Sequence, residues 1–324
     1  MGARVGVGFV GCGRVAHSHF AALEPLPEAE LVAVCDIDQD RATQMARRWG
    51  ARLYGCAEEL MAADDVDVVF VLTPLPTHFA LAREALARGK HVLVEKPVAT
   101  TRDEVLELAA LAERAGVVCM PGHSYRYLPE LERLVRLTRQ GHVGPPRALF
   151  ISEIYHMPQE LARKYNGPVQ EVLTHHLDLA HALLGPPVQV QAFAGCFRGQ
   201  DIPTGDEQVM INLAFAGGVL GHIFLSWAAE DETSDPWTFK VKLWAADGGL
   251  HFSRRDAVSA VRDGRPPWHY PMYDETFQRE VHWLVTRCLR DGAEPLSTMA
   301  DAAEATRMLE AVKASLARGA VVSL

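Results

Sequence analysis

From Val5 to about Met120 the chain alternates short β-branched apolar runs with longer amphipathic segments, and that alternation admits few folds. The strand candidates are Val5–Val10, Leu31–Cys35, Val68–Leu72, His91–Val94 and Val117–Met120. Between them, helical periodicity runs over Arg14–Leu23, Arg41–Trp49, Ala57–Ala63, His78–Arg88 and Asp103–Ala115. Strands that are apolar along their whole length need cover on both faces. The pattern therefore predicts a doubly wound α/β domain, a parallel sheet with right-handed helical crossovers on either side.

The pattern changes after Pro121. A helix is expected over Pro129–Gln140, a break at Pro145-Pro146 and a strand over Arg147–Tyr155. A second helix, Glu171–Leu184, stops at Gly185-Pro186-Pro187. Four strand-like stretches follow, Val188–Phe197, Gln208–Phe215, Val219–Trp227 and Thr238–Ala245, with Gly217-Gly218 as a hairpin turn between the second and third. Helices near Tyr273–Arg290 and Met299–Arg318 close the chain. This predicts an α+β C-terminal domain with a largely antiparallel open sheet. The 324 residues divide into 1–121 and 122–324, with the final helices free to pack back on the first domain.

Bulk properties exclude several classes of function. Hydrophobic residues are 48% and charged residues 23% of the chain, and the formal net charge is −9. No run of five Lys or Arg interrupts that acidic balance, which argues against a nucleic-acid partner. No stretch of 18 apolar residues is present, so no membrane span is expected. The N terminus runs straight into a strand-length apolar segment, too short for the core of a secretory leader. Six scattered cysteines form no CxxC pair, and a soluble, reduced, cytoplasmic protein is expected.

Directly after the first strand stands Gly11-Cys12-Gly13-Arg14-Val15-Ala16, a G-x-G-x-x-A sequence opening a helix. In such a turn the first glycine permits the bend, and the second lets backbone N–H groups approach a pyrophosphate at the positive helix end. The second strand ends in Asp36, followed by Ile37. An acid there either accepts from the adenosine ribose hydroxyls and repels a 2′-phosphate, or is a surface turn residue. With no cation at position 37, NAD is favoured over NADP, although Arg41 lies nearby.

Polar residues also cluster at the carboxyl ends of two later strands, where doubly wound sheets bind ligands. One set is Thr73-Pro74-Leu75-Pro76-Thr77-His78; the other is Glu95-Lys96-Pro97. Glu-Lys-Pro after such a strand, preceded by Thr-Pro…His, resembles the Gfo/Idh/MocA family, which includes glucose–fructose oxidoreductase and inositol dehydrogenases. The segment Tyr125-Arg126-Tyr127-Leu128-Pro129 resembles that family's aromatic-Arg-aromatic-x-Pro stretch. Glu171-Val172-Leu173-Thr174-His175-His176-Leu177-Asp178 resembles its D-x-G-x-H-x-x-D helix, with Glu171 and Leu173 where Asp and Gly are usual.

The resemblance extends along essentially the whole chain. It implies a Rossmann domain that binds NAD through Gly11, Gly13, Arg14, Val15, Ala16, Asp36, Ile37, Thr73, Pro74, His78, Glu95 and Lys96. It also implies catalysis by Lys96 and His175, with His175 removing a substrate hydroxyl proton and Lys96 donating to the same oxygen. On a continuous helix Glu171 and His175 are i and i+4 and share a face, so the carboxylate can orient the imidazole. Asp178, three residues beyond His175, is expected to line the same pocket. Tyr155 and His156 either line it too or form a sheet-edge pair, and Arg126 holds either substrate or a structural carboxylate; Tyr125 belongs with it.

The reaction so implied is oxidation of a secondary hydroxyl of a sugar, sugar derivative or cyclitol. Alternatives are a NAD-assisted glycosidase served by the same Lys and His, a non-catalytic dinucleotide-sensing regulator on the same fold, and reductases of imines or enones. A zinc site from His175, His176 and His181 is not expected, because adjacent helical residues diverge by about 100°. Relatives that pair through an open sheet imply a homodimer or homotetramer. The loops around 155–166 and 230–237 are expected to select the substrate.

Overall fold

The structure is a computed structural model and describes residues 4–158, 160, 162, 167–197, 206–228, 237–254 and 271–324. Its contacts resolve into two units. The first comprises the chain up to Leu128 together with Tyr273–Thr306, and the second Pro129–Met272 with Arg307–Leu324. Parts of both expected substrate loops, including 163–166 and 229–236, lie outside the described residues.

The first unit carries strands β1 (Val5–Val10), β2 (Ala29–Cys35), β3 (Arg52–Leu53), β4 (Val68–Val71), β5 (His91–Glu95) and β6 (Cys119–Gly122). They form one parallel sheet in the order β3-β2-β1-β4-β5-β6, the doubly wound arrangement expected from the sequence. Successive side chains alternate between two cores, as strand geometry requires. Val7, Phe9, Val68, Phe70 and Leu93 enter one core, and Val10, Val69, Val71, Val92 and Val94 enter the other. Helices cover both faces: α1 (Arg14–Leu23), α2 (Gln39–Trp49), α3 (Ala57–Met61), α4 (His78–Ala87) and α5 (Arg102–Ala115). Local chemistry sets their ends. Asp38 caps α2 and Gly50 closes it in the left-handed conformation, while Thr101 and Glu104 form a reciprocal capping box on α5.

The second unit contains α6 (Pro129–Arg139), β7 (Pro146–Tyr155), α7 (Gly167–Glu171), α8 (Leu173–Leu184), β8 (Pro187–Gly195), β9 (Gln208–Phe215), β10 (Leu220–Ser226), β11 (Trp237–Ala245) and β12 (Gly248–Arg254). With β13 (Val322–Ser323) these strands make a seven-stranded sheet ordered β12-β11-β7-β10-β9-β8-β13. Pairings are antiparallel except that of β7 with β10, which is parallel. The sequence reads the strands after Val188 as a simple meander. The structure differs because β7 inserts between β10 and β11, an order that strand periodicity cannot encode. One face of the sheet is buried, with Val190, Ile211, Ile223, Ile151 and Val241 in its core. Phe193, Met210, Leu220 and Trp244 are exposed. Gly217 and Gly218 turn β9 into β10 with φ of 74° and 81°, a conformation that suits glycine.

Helix α9 (Pro271–His282) opens the C-terminal segment, loosens into a π turn over Trp283–Cys288 and is followed by α10 (Met299–Arg318). Phe277, Val281, Leu284, Val285 and Cys288 join the core of the first unit. Among the described residues, no helix is long and apolar enough to cross a membrane.

That segment brings an acid into the core. Glu280 is fully buried, and among the described residues neither carboxyl oxygen has a hydrogen-bond partner. Burial first, and the charge of Glu95 second, push its pKa well above the ordinary 4.5. The folded chain thus holds a proton that the unfolded chain releases above pH 4.5. Stability is fully present below that pH and declines as pH rises toward the folded-state value, by at most about 1.4 kcal/mol per pH unit. Glu280→Gln is expected to raise the thermal midpoint, with a gain that grows between pH 5 and 8. Calorimetry of the two proteins across that range checks it, and a pH-independent difference would contradict it.

Candidate active site

The loop between β1 and α1 is shaped by backbone geometry. Gly11 has φ of 100°, and a Cβ there would stand 2.8 Å from the Leu72 carbonyl group, so both the turn and the neighbouring strand require glycine. Gly13 caps α1, and a Cβ there would meet nothing within 4 Å. The helix start carries no side-chain cap and no acid in its first turn. The space beside Gly13 is therefore open at the positive end of a ten-residue helix, which fits the pyrophosphate of a dinucleotide. Ala16 is buried against the sheet, Val15 is half-buried and Arg14 is exposed.

Asp36 stands beside this loop at the end of β2. One carboxylate oxygen accepts from the Cys12 N–H at 2.7 Å and the other from the Asp38 N–H at 2.9 Å. Arg41 is held by Asp38 at 2.8 Å, and its Nε lies 4.0 Å from Asp36. Ile37 is fully exposed. The Cys12 thiol within the loop is pushed up to about 12 by burial and by Asp36, with Arg41 acting in the opposite sense, and is inert as a nucleophile.

The carboxyl ends of β4 and β5 supply the remaining groups. Thr73 is half-buried and Pro74 exposed, and the Thr77 hydroxyl donates to the hydroxyl of Thr73 at 2.7 Å. His78 is buried, and its ring spends both nitrogens on the protein: Nδ1 is 2.8 Å from the Pro97 carbonyl oxygen and Nε2 2.6 Å from that of Thr73. The sequence assigns His78 to the cofactor, and in the structure its ring joins the loops that follow β4 and β5. Glu95 is buried with Oε1 2.8 Å from His19 Nε2, and Oε2 accepts from the Lys96 N–H at 3.1 Å. Burial pulls the Glu95 carboxyl up, but the His19 hydrogen bond, the charges of His19 and Lys96 and the Lys96 N–H together hold it below the ordinary carboxylate value. Lys96 itself is half-buried, and its bond to Pro97 is cis.

Tyr125 and Arg126 are also buried in the first unit. Arg126 donates to the Leu296 carbonyl at 2.5 Å, and His123 contacts the Ser297 hydroxyl at 2.9 Å. Arg126 is thus tied to the backbone at Leu296, a bond to a carbonyl and not to the carboxylate of the structural reading.

In the second unit the helix expected over Glu171–Leu184 is two helices. Glu171 ends α7, and Val172, with φ −119° and ψ −34°, separates it from α8. The i, i+4 relation of Glu171 and His175 therefore does not run along one continuous helix. Leu173, in place of the family's glycine, is fully buried at the start of α8. His175 and Asp178 are buried, and Glu171 is half-buried. His176 anchors the helix: its Nε2 is 2.8 Å from Glu153 on β7, its Nδ1 3.2 Å from the Val172 carbonyl, and its ring meets Phe239 edge-on. Tyr155 packs on Trp227, and His156 forms an isolated bridge with Ala228. Among the described residues, no group of three or more metal-ligating side chains gathers.

Sequence reasoning missed His19, Glu153 and Glu280. Each had a signal, a polar residue in a position that helical or strand periodicity reserves for the core.

A glycine turn open to a helix N terminus, with an acid at the end of the next strand and a lysine at the end of a central one, defines a dinucleotide-binding oxidoreductase. The family model for the Gfo/Idh/MocA oxidoreductases with NAD-binding Rossmann fold matches residues 5–123, and that for the family's C-terminal domain matches residues 131–248. The chain belongs to the Gfo/Idh/MocA oxidoreductase family, and its first unit is an NAD-binding Rossmann domain. It is 29% identical to the D-apiose dehydrogenase of Paraburkholderia graminis over 97% of this chain and 88% of that one. It is 32% identical to the inositol 2-dehydrogenase of Burkholderia cenocepacia over 55% of this chain and 54% of the relative. Among solved structures, GenD2 from gentamicin A biosynthesis, in complex with NAD, superposes with a TM-score of 0.85 at 25% identity, covering 100% of this chain and 97% of its own.

Asp36→Asn keeps an acceptor for the loop and removes the charge that repels a 2′-phosphate. The ratio of kcat/KM for NAD to that for NADP is expected to fall about tenfold, as a lost repulsive element does. Kinetics with each cofactor measure the ratio, and an unchanged value would remove Asp36 from cofactor selection.

Proposed function

We propose that the protein is an NAD-dependent dehydrogenase of a secondary hydroxyl on a sugar, sugar derivative or cyclitol, with Lys96 and His175 as its acid/base groups. The observation that carries the reading is the placement of Lys96. It follows a buried carboxylate held in charged form at the carboxyl end of β5, in the sheet whose first strand also leads into the dinucleotide loop. The D-apiose and inositol dehydrogenases among its relatives support a polyhydroxylated substrate.

In this mechanism His175 takes the proton of the substrate hydroxyl, and the Lys96 ammonium donates to the same oxygen and stabilises its alkoxide character. NAD, when bound, supplies the acceptor for the hydride leaving the carbinol carbon. Glu171, Asp178, Tyr125, Arg126, Tyr155 and His156 are the residues assigned to orienting the base and the substrate. The six free cysteines, four of them buried, support a cytoplasmic setting. The exposed Phe193, Met210, Leu220 and Trp244 on the second unit's sheet support a homodimer or homotetramer built through it, and sedimentation equilibrium would contradict this with a monomer mass.

The test is a panel of inositols, free sugars, glycosides and nucleotide sugars with NAD and NADP, followed by reduced-cofactor absorbance. A polyol is expected to give net NADH, and glycoside cleavage without net NADH would overturn the reading. Lys96→Met and His175→Ala are each expected to lower kcat/KM on the best substrate by about a hundredfold or more. Full activity in Lys96→Met would remove the lysine from the mechanism.

A further inference from the structure

We infer that His19 and His78 are positioning residues that clamp the tripeptide Glu95-Lys96-Pro97 from both flanks and tie Lys96 to the two loops that face the cofactor. The inference rests on the role proposed above for Lys96, and it names residues to which that proposal gives no part in the acid/base chemistry.

On the leading flank, His19 Nε2 lies 2.8 Å from Glu95 Oε1, while Glu95 Oε2 accepts from the Lys96 N–H. The imidazole has no freedom to swing away. It is fully buried, and Phe9, Phe70 and Phe277 meet it edge-on at centroid distances of 6.5, 5.4 and 4.9 Å. Because His19 lies on α1, six residues after Gly13, the bond couples the carboxylate before Lys96 to the helix that opens from the dinucleotide turn.

On the trailing flank, His78 bridges the Pro97 carbonyl at 2.8 Å and the Thr73 carbonyl at 2.6 Å. A carbonyl oxygen only accepts, so the ring donates to one or both carbonyls according to the hydrogens it carries. The bridge joins the residue after Lys96 to the loop after β4. Lys96 therefore cannot shift along or across the sheet without breaking a buried bond on one side or the other, which fixes the backbone position from which its side chain extends. Loss of such alignment lowers the chemical step more than it lowers substrate binding.

Three measurements on the full-length protein test this. Steady-state kinetics should show kcat reduced about tenfold to a hundredfold in His78→Gln and His19→Leu, with substrate KM within about threefold of the parent. His19→Gln, which keeps a donor for Glu95, should recover kcat to within about threefold. In the parent protein, nitrogen-15 spectra of the histidine rings, assigned by the signal lost in His78→Gln, should show a His78 ring N–H protected from exchange with solvent. Parent-like kcat in folded His78→Gln and His19→Leu would overturn the clamp, as would a His78 ring N–H in fast exchange or a loss confined to KM. If Lys96→Met is itself fully active, the proposed mechanism fails instead, so the two failures are distinguishable. The nitrogen spectra judge the His78 bridge even if a variant does not fold.

Discussion

The hydrogen bond between His19 and Glu95 joins the cofactor helix to the strand end that carries Lys96, and the chemistry proposed for the first unit depends on it. An ionised carboxylate in a core of Phe9, Phe70, Leu93 and Phe277 is costly unless it is paired. Here it is paired three ways, with an imidazole, with the Lys96 N–H and with the charge of Lys96 itself. The same low dielectric that makes an unpaired charge expensive gives Glu95 an effect on its neighbours that it would lack in water.

Glu280 shows the other side of that constraint. Two carboxyl groups near each other in a dry core cannot both ionise, and the one with the better partners keeps the charge. Glu95 has those partners and, among the described residues, Glu280 has none, so burial and the charge of Glu95 favour the protonated form of Glu280. Tyr127, whose hydroxyl is pushed upward by burial and by Glu280, belongs to the same buried group. The core thus delivers a single negative charge beneath Lys96 rather than two. The cost of this arrangement falls on stability, as is usual where a fold places charge for chemistry.

Much of the first unit was legible in the sequence because a doubly wound sheet uses both faces of every strand. Val68–Val71 and His91–Glu95 read as continuous apolar runs, and Gly11, Asp36 and Lys96 fall at the loops where such sheets gather ligands. The second unit was less legible. Its strands have clear alternation, but alternation reports which side chains are buried and not which strands are neighbours, so the parallel pairing of β7 with β10 was missed. The two-residue strands β3 and β13 are too short to show any period. The break at Val172 is equally silent, since a β-branched residue within an apolar helix leaves the pattern intact. The contacts of His78 were hidden for a related reason: a polar residue at a strand-end loop points to a ligand, and only coordinates reveal that its ring also reaches the carbonyls of Thr73 and Pro97. His19 and Glu280 were visible only as polar residues on otherwise apolar helical faces, with nothing in the sequence to say that both lie near Glu95.

The central claim is that a carbon-bound hydrogen of a polyol passes to the nicotinamide with Lys96 assisting at the oxygen. Its most direct measurement uses inositols and sugars deuterated at their carbinol carbons, with mass spectrometry of the recovered cofactor. The expected result is one deuterium in the reduced nicotinamide formed by the native protein, and a rate of labelling in Lys96→Met lower by about a hundredfold or more. Product formed with no deuterium in the cofactor, or labelling at an undiminished rate in Lys96→Met, would contradict the account.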